Sequence, residues 1–262
     1  MPINTLSASS ESAQYFKLKK FEYDKTIGQK ILKVKEPAFI QYNYEKKIEE
    51  FASNSFGGEL REVTLKEPKV YQKGNGQDFI AQDVFFEFHS YDTEKNLVRE
   101  VITVSRNSTF CETIIAKLVN ITDFKWINLK VGQSQNKQTK KYFDYVSVFS
   151  GDQRLDAMIG MKYADSKYPQ PENMIELPAN KWIDGKKKVL NVETNKFELV
   201  DSKVLNEEWV FLKDEIFDNA LQAIIENVKT YADNNPNGYD HNKVKSESDI
   251  DEIEGQTFED SE

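Results

Sequence analysis

Apolar and polar residues alternate along much of the chain between positions 15 and 149, which predicts a mainly β protein. The alternation starts at 15–23, where aromatic residues and lysines take turns, and recurs at 30–35. Two longer runs, 60–72 and 79–91, flank the pair Asn75-Gly76, the strongest short signal for a β-hairpin. A third run at 97–106 completes a predicted meander of three strands.

One stretch breaks this pattern. From Ile114 to Val119 the apolar residues recur three and four positions apart, which predicts a helix capped by Ser108 and ending near Asn120. Two more strands, 125–131 and 141–149, follow with a polar loop between them. Three strands, a helix and two strands are the order of a five-stranded OB-like barrel whose helix plugs the barrel. The predicted inward residues are Ile80, Val84, Phe86 and Phe88 on the second strand and Ile127, Leu129 and Val131 on the fourth.

The remaining segments suggest additions to this barrel. Residues 206–232 carry an apolar stripe at helical spacing and should pack on the barrel or on a second copy of the chain. The full prediction is a flexible arm (1–14), an OB-fold domain with an N-terminal β extension and an irregular extension at 151–205 (15–205), a packed C-terminal helix (206–232) and a disordered acidic tail (233–262).

The net charge of −9 is unevenly distributed. Residues 246–262 hold eight of the 44 acidic residues and none of the 35 basic ones, so residues 1–245 have a net charge of only −1. A block of like charges of this kind is typical of a disordered interaction tail. The body of the protein can therefore carry basic patches in spite of the acidic total.

Composition narrows the possible chemistry. A 262-residue chain with 39% hydrophobic residues can bury a core, whereas one cysteine and two histidines exclude an internal disulfide and a structural zinc site. Half of a calcium-binding loop occurs at 233–238, but Val244 stands where a glutamate is required. No phosphate-binding loop or nucleophile motif is found. We expect no catalytic residues, no cofactor and no metal.

Targeting signals are also missing from the sequence. The first residues lack the basic and apolar regions of a signal peptide, and no run of about 18 apolar residues occurs. The expectation is a soluble cytoplasmic protein without membrane contact, located in the host cytoplasm if the protein is viral.

The outward barrel face, with the loops that flank it, is the candidate site, because OB folds bind oligonucleotides there. Aromatic rings stack on bases and lysines neutralise phosphates. The alternative is that the N-terminal segment or the C-terminal helix covers these aromatic residues. The predicted nucleic-acid-binding residues are Tyr71, Lys73, Phe79, Phe85, His89, Arg99, Lys137, Lys140, Lys141 and Tyr142.

Several segments together resemble the OB-fold single-stranded DNA-binding proteins of bacteriophages: VITVSRNSTFCETIIAKLVNI, KWINLKV, YFDYVSVFSGDQRLD and an acidic tail with an aromatic residue near its end. The resemblance covers about 58–157 and the tail. It implies sequence-nonspecific binding of single-stranded DNA during replication, recombination or repair. It also implies a tail that recruits replication or recombination proteins or lies over the DNA groove. Within that tail Ile250, Ile253 and Phe258 are the candidate partner-binding anchors.

Two features depart from the family pattern. Phe258 lies four residues before the end instead of at it, and the N-terminal 57 residues and the 151–205 segment exceed a minimal barrel. Two other functions stay open at this point. One is a protein-interaction or virion-associated barrel without nucleic-acid binding, and the other is a metal-dependent nuclease that uses the scattered acidic residues.

Overall fold

A computed structural model describes residues 13–27, 30–72, 78–91, 96–136, 140–160, 170–177, 180–183, 186–191, 196–199, 202–236 and 238. Strands dominate these residues, so the protein is mainly β. The elements in chain order are β1 Gln14–Ile27, β2 Lys30–Asn43, β3 Ile48–Ser53, β4 Ser55–Leu65, β5 Lys69–Gln72, β6 Asp78–Ala81, β7 Asp83–Tyr91, β8 Leu97–Ser105, α1 Thr109–Leu118, β9 Ile127–Gln135, β10 Tyr142–Ser150, β11 Gln153–Arg154, β12 Ile159–Gly160, β13 Ile175–Glu176, β14 Asn180–Ile183, β15 Lys186–Asn191, β16 Lys196–Leu199 and α2 Ser202–Asn234.

Nine strands form one mixed sheet in the order β11-β10-β9-β4-β7-β8-β1-β2-β3. Strand β1 pairs with β8 in parallel, whereas the other neighbours in this sheet are antiparallel. The helix α1 lies between the third and the fourth of the predicted strands, as expected, and β4, β7, β8, β9 and β10 fall within or next to the five predicted runs. The first two runs are each divided, however: 60–72 contains the end of β4 and β5, and 79–91 contains most of β6 and β7.

The sheet does not close into a barrel. The physical reason lies in the N-terminal extension: β1 hydrogen-bonds to the edge of β8, and β2 and β3 then extend the sheet. The sheet is nevertheless strongly curled, since only Asn54 separates β3, the strand at one edge, from β4, the fourth strand from the other edge. An ion pair of 2.6 Å between Lys20 of β1 and Asp144 of β10 links the two halves of the curled sheet.

The core fills the concave side of this sheet. Val84, Phe86 and Phe88 of β7 are buried there, and so are the predicted residues of β9, Ile127, Leu129 and Val131. Ile80 is the exception to the predicted inward set, because 64% of its surface is exposed. Gln82 lies between β6 and β7 and belongs to neither strand. Strand β6 pairs with β5 in a separate hairpin away from the core.

The two helices cover the remaining side of the core. The Ser108 hydroxyl accepts a hydrogen bond from the Cys111 backbone N–H at 3.2 Å, which confirms the predicted cap of α1. Helix α2 begins at Ser202, four residues before the predicted start. Its residues Phe217, Leu221 and Ile224 are buried in the core cluster, so the helix packs on the sheet and on α1 of the same chain.

Candidate nucleic-acid interface

Phe85 lies on the convex side of the sheet, since its neighbours Val84 and Phe86 both point into the core. It is half-buried. The Lys66 ammonium lies 4.5 Å from the ring centroid, and the Tyr15 ring meets Phe85 edge-on with centroids 6.3 Å apart. Part of the Phe85 surface is therefore occupied by a cation–π contact and an aromatic neighbour instead of being open to a base.

His89 and Arg99 come together on the same convex side, as their direct pairing across β7 and β8 requires. Both contact Glu87: its Oε1 lies 2.8 Å from His89 Nε2 and accepts a hydrogen bond from Arg99 Nε at 2.9 Å. These contacts, the His89 bond above all, hold the pKa of Glu87 below its ordinary value. Sequence reasoning overlooked Glu87, although its position between Phe85 and His89 in the alternation places it on the same side. It makes this face less positive than predicted.

The β5–β6 hairpin carries Tyr71, which is exposed and pairs in register with Phe79. Beside this pair, Val70 and Ile80 form an exposed apolar pair across the hairpin. The predicted Lys73 and the side chain of Phe79 lie outside the described part of the chain.

A second group of exposed aromatic residues lies at the start of β10. Tyr142 was predicted and is 63% exposed, and it follows the exposed Lys140 and Lys141. Sequence reasoning missed Phe143 and Tyr145, which are 52% and 37% exposed. The signal was available, because the buried Val146 and Val148 place the odd-numbered residues of this strand on the convex side. The same alternation places Tyr142 on the opposite side from these two rings. Lys137 is outside the described residues.

Two small residues of β9 lie opposite the Phe143 and Tyr145 rings. Tyr145 is paired with Gly132, and Phe143 with Ser134. A Cβ atom on Gly132 would lie 2.6 Å from the Tyr145 hydroxyl oxygen, so the ring lies against the strand only because position 132 has no side chain. Phe143 and Tyr145 are two positions apart on β10, so their Cα atoms are about 6.6 Å apart. We call Phe143, Tyr145, Gly132 and Ser134 the aromatic platform.

Lysines lie next to the aromatic platform along the chain. Lys140 and Lys141, both exposed, precede its first ring. Asp144 faces the opposite side of β10 from the two rings and is paired there with Lys20 of β1. Lys25 of β1 is also close: a hydrogen bond to Glu36 is the main cause of its raised pKa, and Tyr145 contributes to the same shift. Lysines next to exposed rings are the side chains that a single nucleic-acid strand requires.

The single cysteine has no features of a nucleophile. Cys111 is fully buried in α1, and burial raises the pKa of its thiol to about 12.

Within the part of the chain that the structure describes, no three His, Cys, Asp or Glu side chains are arranged to hold a metal ion. Neither helix, as far as it is described, is long and apolar enough to cross a membrane. The predicted tail anchors Ile250, Ile253 and Phe258 fall outside the described residues.

Glu100 is an unusual carboxyl group on β8, where it pairs with Phe88. Burial raises its pKa to about 7. In the pH range between the unfolded value and 7, the folded protein retains a proton that the unfolded chain has released. Stability is therefore expected to fall as the pH rises through this range, by about 1–2 kcal/mol after allowance for partial exposure.

Denaturant unfolding at pH 5 and pH 8 measures this effect. Glu100→Gln should remove most of the decline and be the more stable protein at pH 8. The exposed Glu62→Gln variant controls for the loss of one charge. A Glu100→Gln protein with the same pH profile as the unsubstituted chain would contradict the prediction.

The structure thus distributes the predicted residues over three elements: the β7–β8 face, the β5–β6 hairpin and the start of β10. Comparison with protein-family models, with curated protein sequences and with solved structures finds no match to this chain in any of the three. A function must therefore be inferred from the surface itself.

Proposed function

We propose that this protein binds single-stranded DNA without sequence preference, as a non-catalytic component of phage DNA replication, recombination or repair. The observation that carries the proposal is the aromatic platform, where Phe143 and Tyr145 are exposed next to the exposed Lys140 and Lys141 of the segment before β10. Stacking on such rings tolerates any base, because every base has a π-face.

The order of the strands supports the same proposal. We infer that β4, β7, β8, β9 and β10 with α1 derive from an OB-type arrangement that the β1–β2 hairpin has opened. Two features favour this origin: the helix follows the third of the five strands, and β4 pairs with both β7 and β9. In OB folds the strand face and the loops between strands carry single-stranded nucleic acid.

The direct experiment compares a single-stranded oligonucleotide with a blunt duplex of the same length by fluorescence anisotropy. We expect preference for the single strand and a linear fall of log affinity with log salt, by about 0.7 for each phosphate neutralised. Binding should be the same with magnesium and with a chelator. Equal affinity for duplex and single strand, or the absence of a salt effect, would overturn the proposal. Cleavage that needs magnesium would favour a nuclease.

An exposed apolar pair, Val70 and Ile80 on the β5–β6 hairpin, favours one alternative: a β-rich protein that binds another protein and no nucleic acid. The same titration separates the two functions, because that alternative predicts no binding to either oligonucleotide.

The acidic tail is expected to act on the same surface. Its eight carboxylates compete with phosphates for the lysines, so a chain that ends at Lys245 should bind single strands more tightly at low salt. The advantage should shrink at high salt, where both contacts are screened. An anisotropy titration of both chains at two salt concentrations measures it, and equal affinity at low salt would contradict this role. A pull-down with replication or recombination proteins tests Ile250, Ile253 and Phe258 separately.

A further inference from the structure

Strand β1 lies between Phe85 and the aromatic platform. Phe16 and Leu18 point into the core, so the odd-numbered residues of this part of the strand face outward. At its start, Gln14–Lys17 pairs with 100–103 of β8. This pairing places an N-terminal strand, absent from a minimal five-stranded barrel, beside the β7–β8 face.

The start of β1 contacts Phe85 directly. We call Phe85 and the Lys66 ammonium over its ring the Phe85 site. Tyr15 is 57% exposed and contacts the Phe85 ring edge-on. Thr103 pairs with Phe85 on one side and with Lys17 on the other, so the exposed Lys17 lies in the same row across the sheet. His89 and Arg99 already engage Glu87, so the exposed Lys17 and Lys66 are the side chains expected to meet a phosphate beside this pair of rings.

The far part of β1 reaches the aromatic platform. Tyr23, on the outward side of β1, accepts a hydrogen bond from Asn54 Nδ2 at 3.2 Å. The Asn54 carbonyl oxygen accepts a hydrogen bond of 2.8 Å from the backbone N–H of Val131, the neighbour of Gly132. Ten residues separate Tyr15 from Lys25, which corresponds to about 33 Å of strand. Lys19 and Lys25, on the outward side of β1, are held by Glu49 and Glu36. These two lysines must exchange a carboxylate for a phosphate when a nucleic acid binds.

We propose that the outward side of β1 joins the Phe85 site and the aromatic platform into one continuous path for a single strand of DNA. This inference rests on the proposed function and adds to it a route and two residues, Tyr15 and Lys17. At the 3.4 Å per nucleotide of a stacked strand, the path takes about ten nucleotides. Occupying both sites with one strand raises affinity, because the second contact becomes intramolecular.

The test uses two oligonucleotides, of about 4 and about 15 nucleotides, and the full chain. The longer one should bind at least about tenfold more tightly than the shorter one. In the double variant Tyr15→Ala/Lys17→Ala this gain should be largely lost, while affinity for the 4-mer stays within about twofold. Lys33→Ala is the matched control, since Lys33 is exposed on the opposite side of the same hairpin. Tyr15→Phe keeps the ring and should retain the gain.

A second measurement does not depend on a variant. Ultraviolet crosslinking of a 15-mer that contains 5-bromouracil at every position, followed by mass spectrometry, should give adducts at both Tyr15 and Tyr145.

The binding titrations separate the two proposals. If the unsubstituted chain binds neither oligonucleotide, the proposed function itself is wrong. If it binds the 15-mer and the double variant binds equally well, only the continuous path is wrong. An equal loss for both lengths also overturns the path, because it would place Tyr15 and Lys17 within one local site.

Discussion

Replacing Phe143 and Tyr145 together by alanine is expected to weaken single-strand binding by at least about thirtyfold. Each stacking ring contributes about 1–3 kcal/mol, and 2 kcal/mol corresponds to roughly that factor. Both side chains are substantially exposed and point away from the core, so the fold should not depend on them. Anisotropy with a 15-mer gives the affinity, and thermal unfolding monitors stability.

Phe211→Ala is the matched control for this prediction. Phe211 is 69% exposed on α2 and belongs to no surface proposed to bind DNA, so its loss should leave the affinity unchanged. Tyr145→Phe should bind nearly as well as the unsubstituted chain, because stacking needs the ring and not the hydroxyl. An alanine double variant with unchanged affinity would remove the aromatic platform from the binding surface.

Gly132→Ala tests the geometry of the platform without removing a ring. The added Cβ would overlap with the far end of the Tyr145 side chain, which can swing away at little cost to the fold. The ring would then leave its position against β9. We expect a loss of affinity close to that of Tyr145→Ala, with the unfolding midpoint little changed.

Local patterns in the sequence identified those elements whose contacts lie close along the chain. Alternation defined β7, and the spacing of apolar residues together with Ser108 defined α1, because caps and faces depend on residues a few positions apart. The apolar stripe of the C-terminal helix likewise indicated its buried side. In each case the local preference and the tertiary environment require the same residues.

Pairing between distant segments was not accessible in the same way. The parallel contact of β1 with β8 joins residues more than 80 positions apart, and no local pattern specifies such a partner. This pairing replaced the expected closed barrel by an open, curled sheet. Ile80 was misassigned for a related reason, since alternation was extended through Gln82, where β6 ends and the chain turns into a different pairing.

The candidate site likewise combines residues that local sequence patterns predict with residues whose role depends on strand pairing. Tyr142 and its lysines were predicted because aromatic and basic residues are adjacent in the sequence, but the alternation on β10 places Tyr142 on the opposite side from Phe143 and Tyr145. The role of Gly132 depends on its register with Tyr145, which only the pairing of β9 and β10 determines. Glu87 was overlooked because a pattern of aromatic and basic residues does not single out a carboxylate, although its contacts with His89 and Arg99 decide how much positive charge remains for a ligand.

Replacing Asp218 by alanine is expected to destabilise the protein by about 2–4 kcal/mol. Arg106 is 3% exposed, and its Nε and one terminal nitrogen donate to Asp218 Oδ1 at 2.9 and 2.6 Å. The other terminal nitrogen has no hydrogen-bond partner among the described residues. Without Asp218 the buried guanidinium would lose its counter-charge, and an uncompensated buried charge is costly.

Replacing the other partner of this ion pair, Arg106, should destabilise the protein much less. Arg106→Met removes the buried charge itself and keeps a similar length of side chain, while the Asp218 carboxylate, 58% exposed, can be hydrated by water. We expect a cost below about 1.5 kcal/mol, measured as a shift of the denaturant midpoint at constant slope. Equal costs for the two variants would mean that the packing of α2, and not the buried charge, sets the energy of this contact. Because Arg106 and Asp218 are not part of the proposed DNA path, both variants should bind the 15-mer normally wherever they are folded.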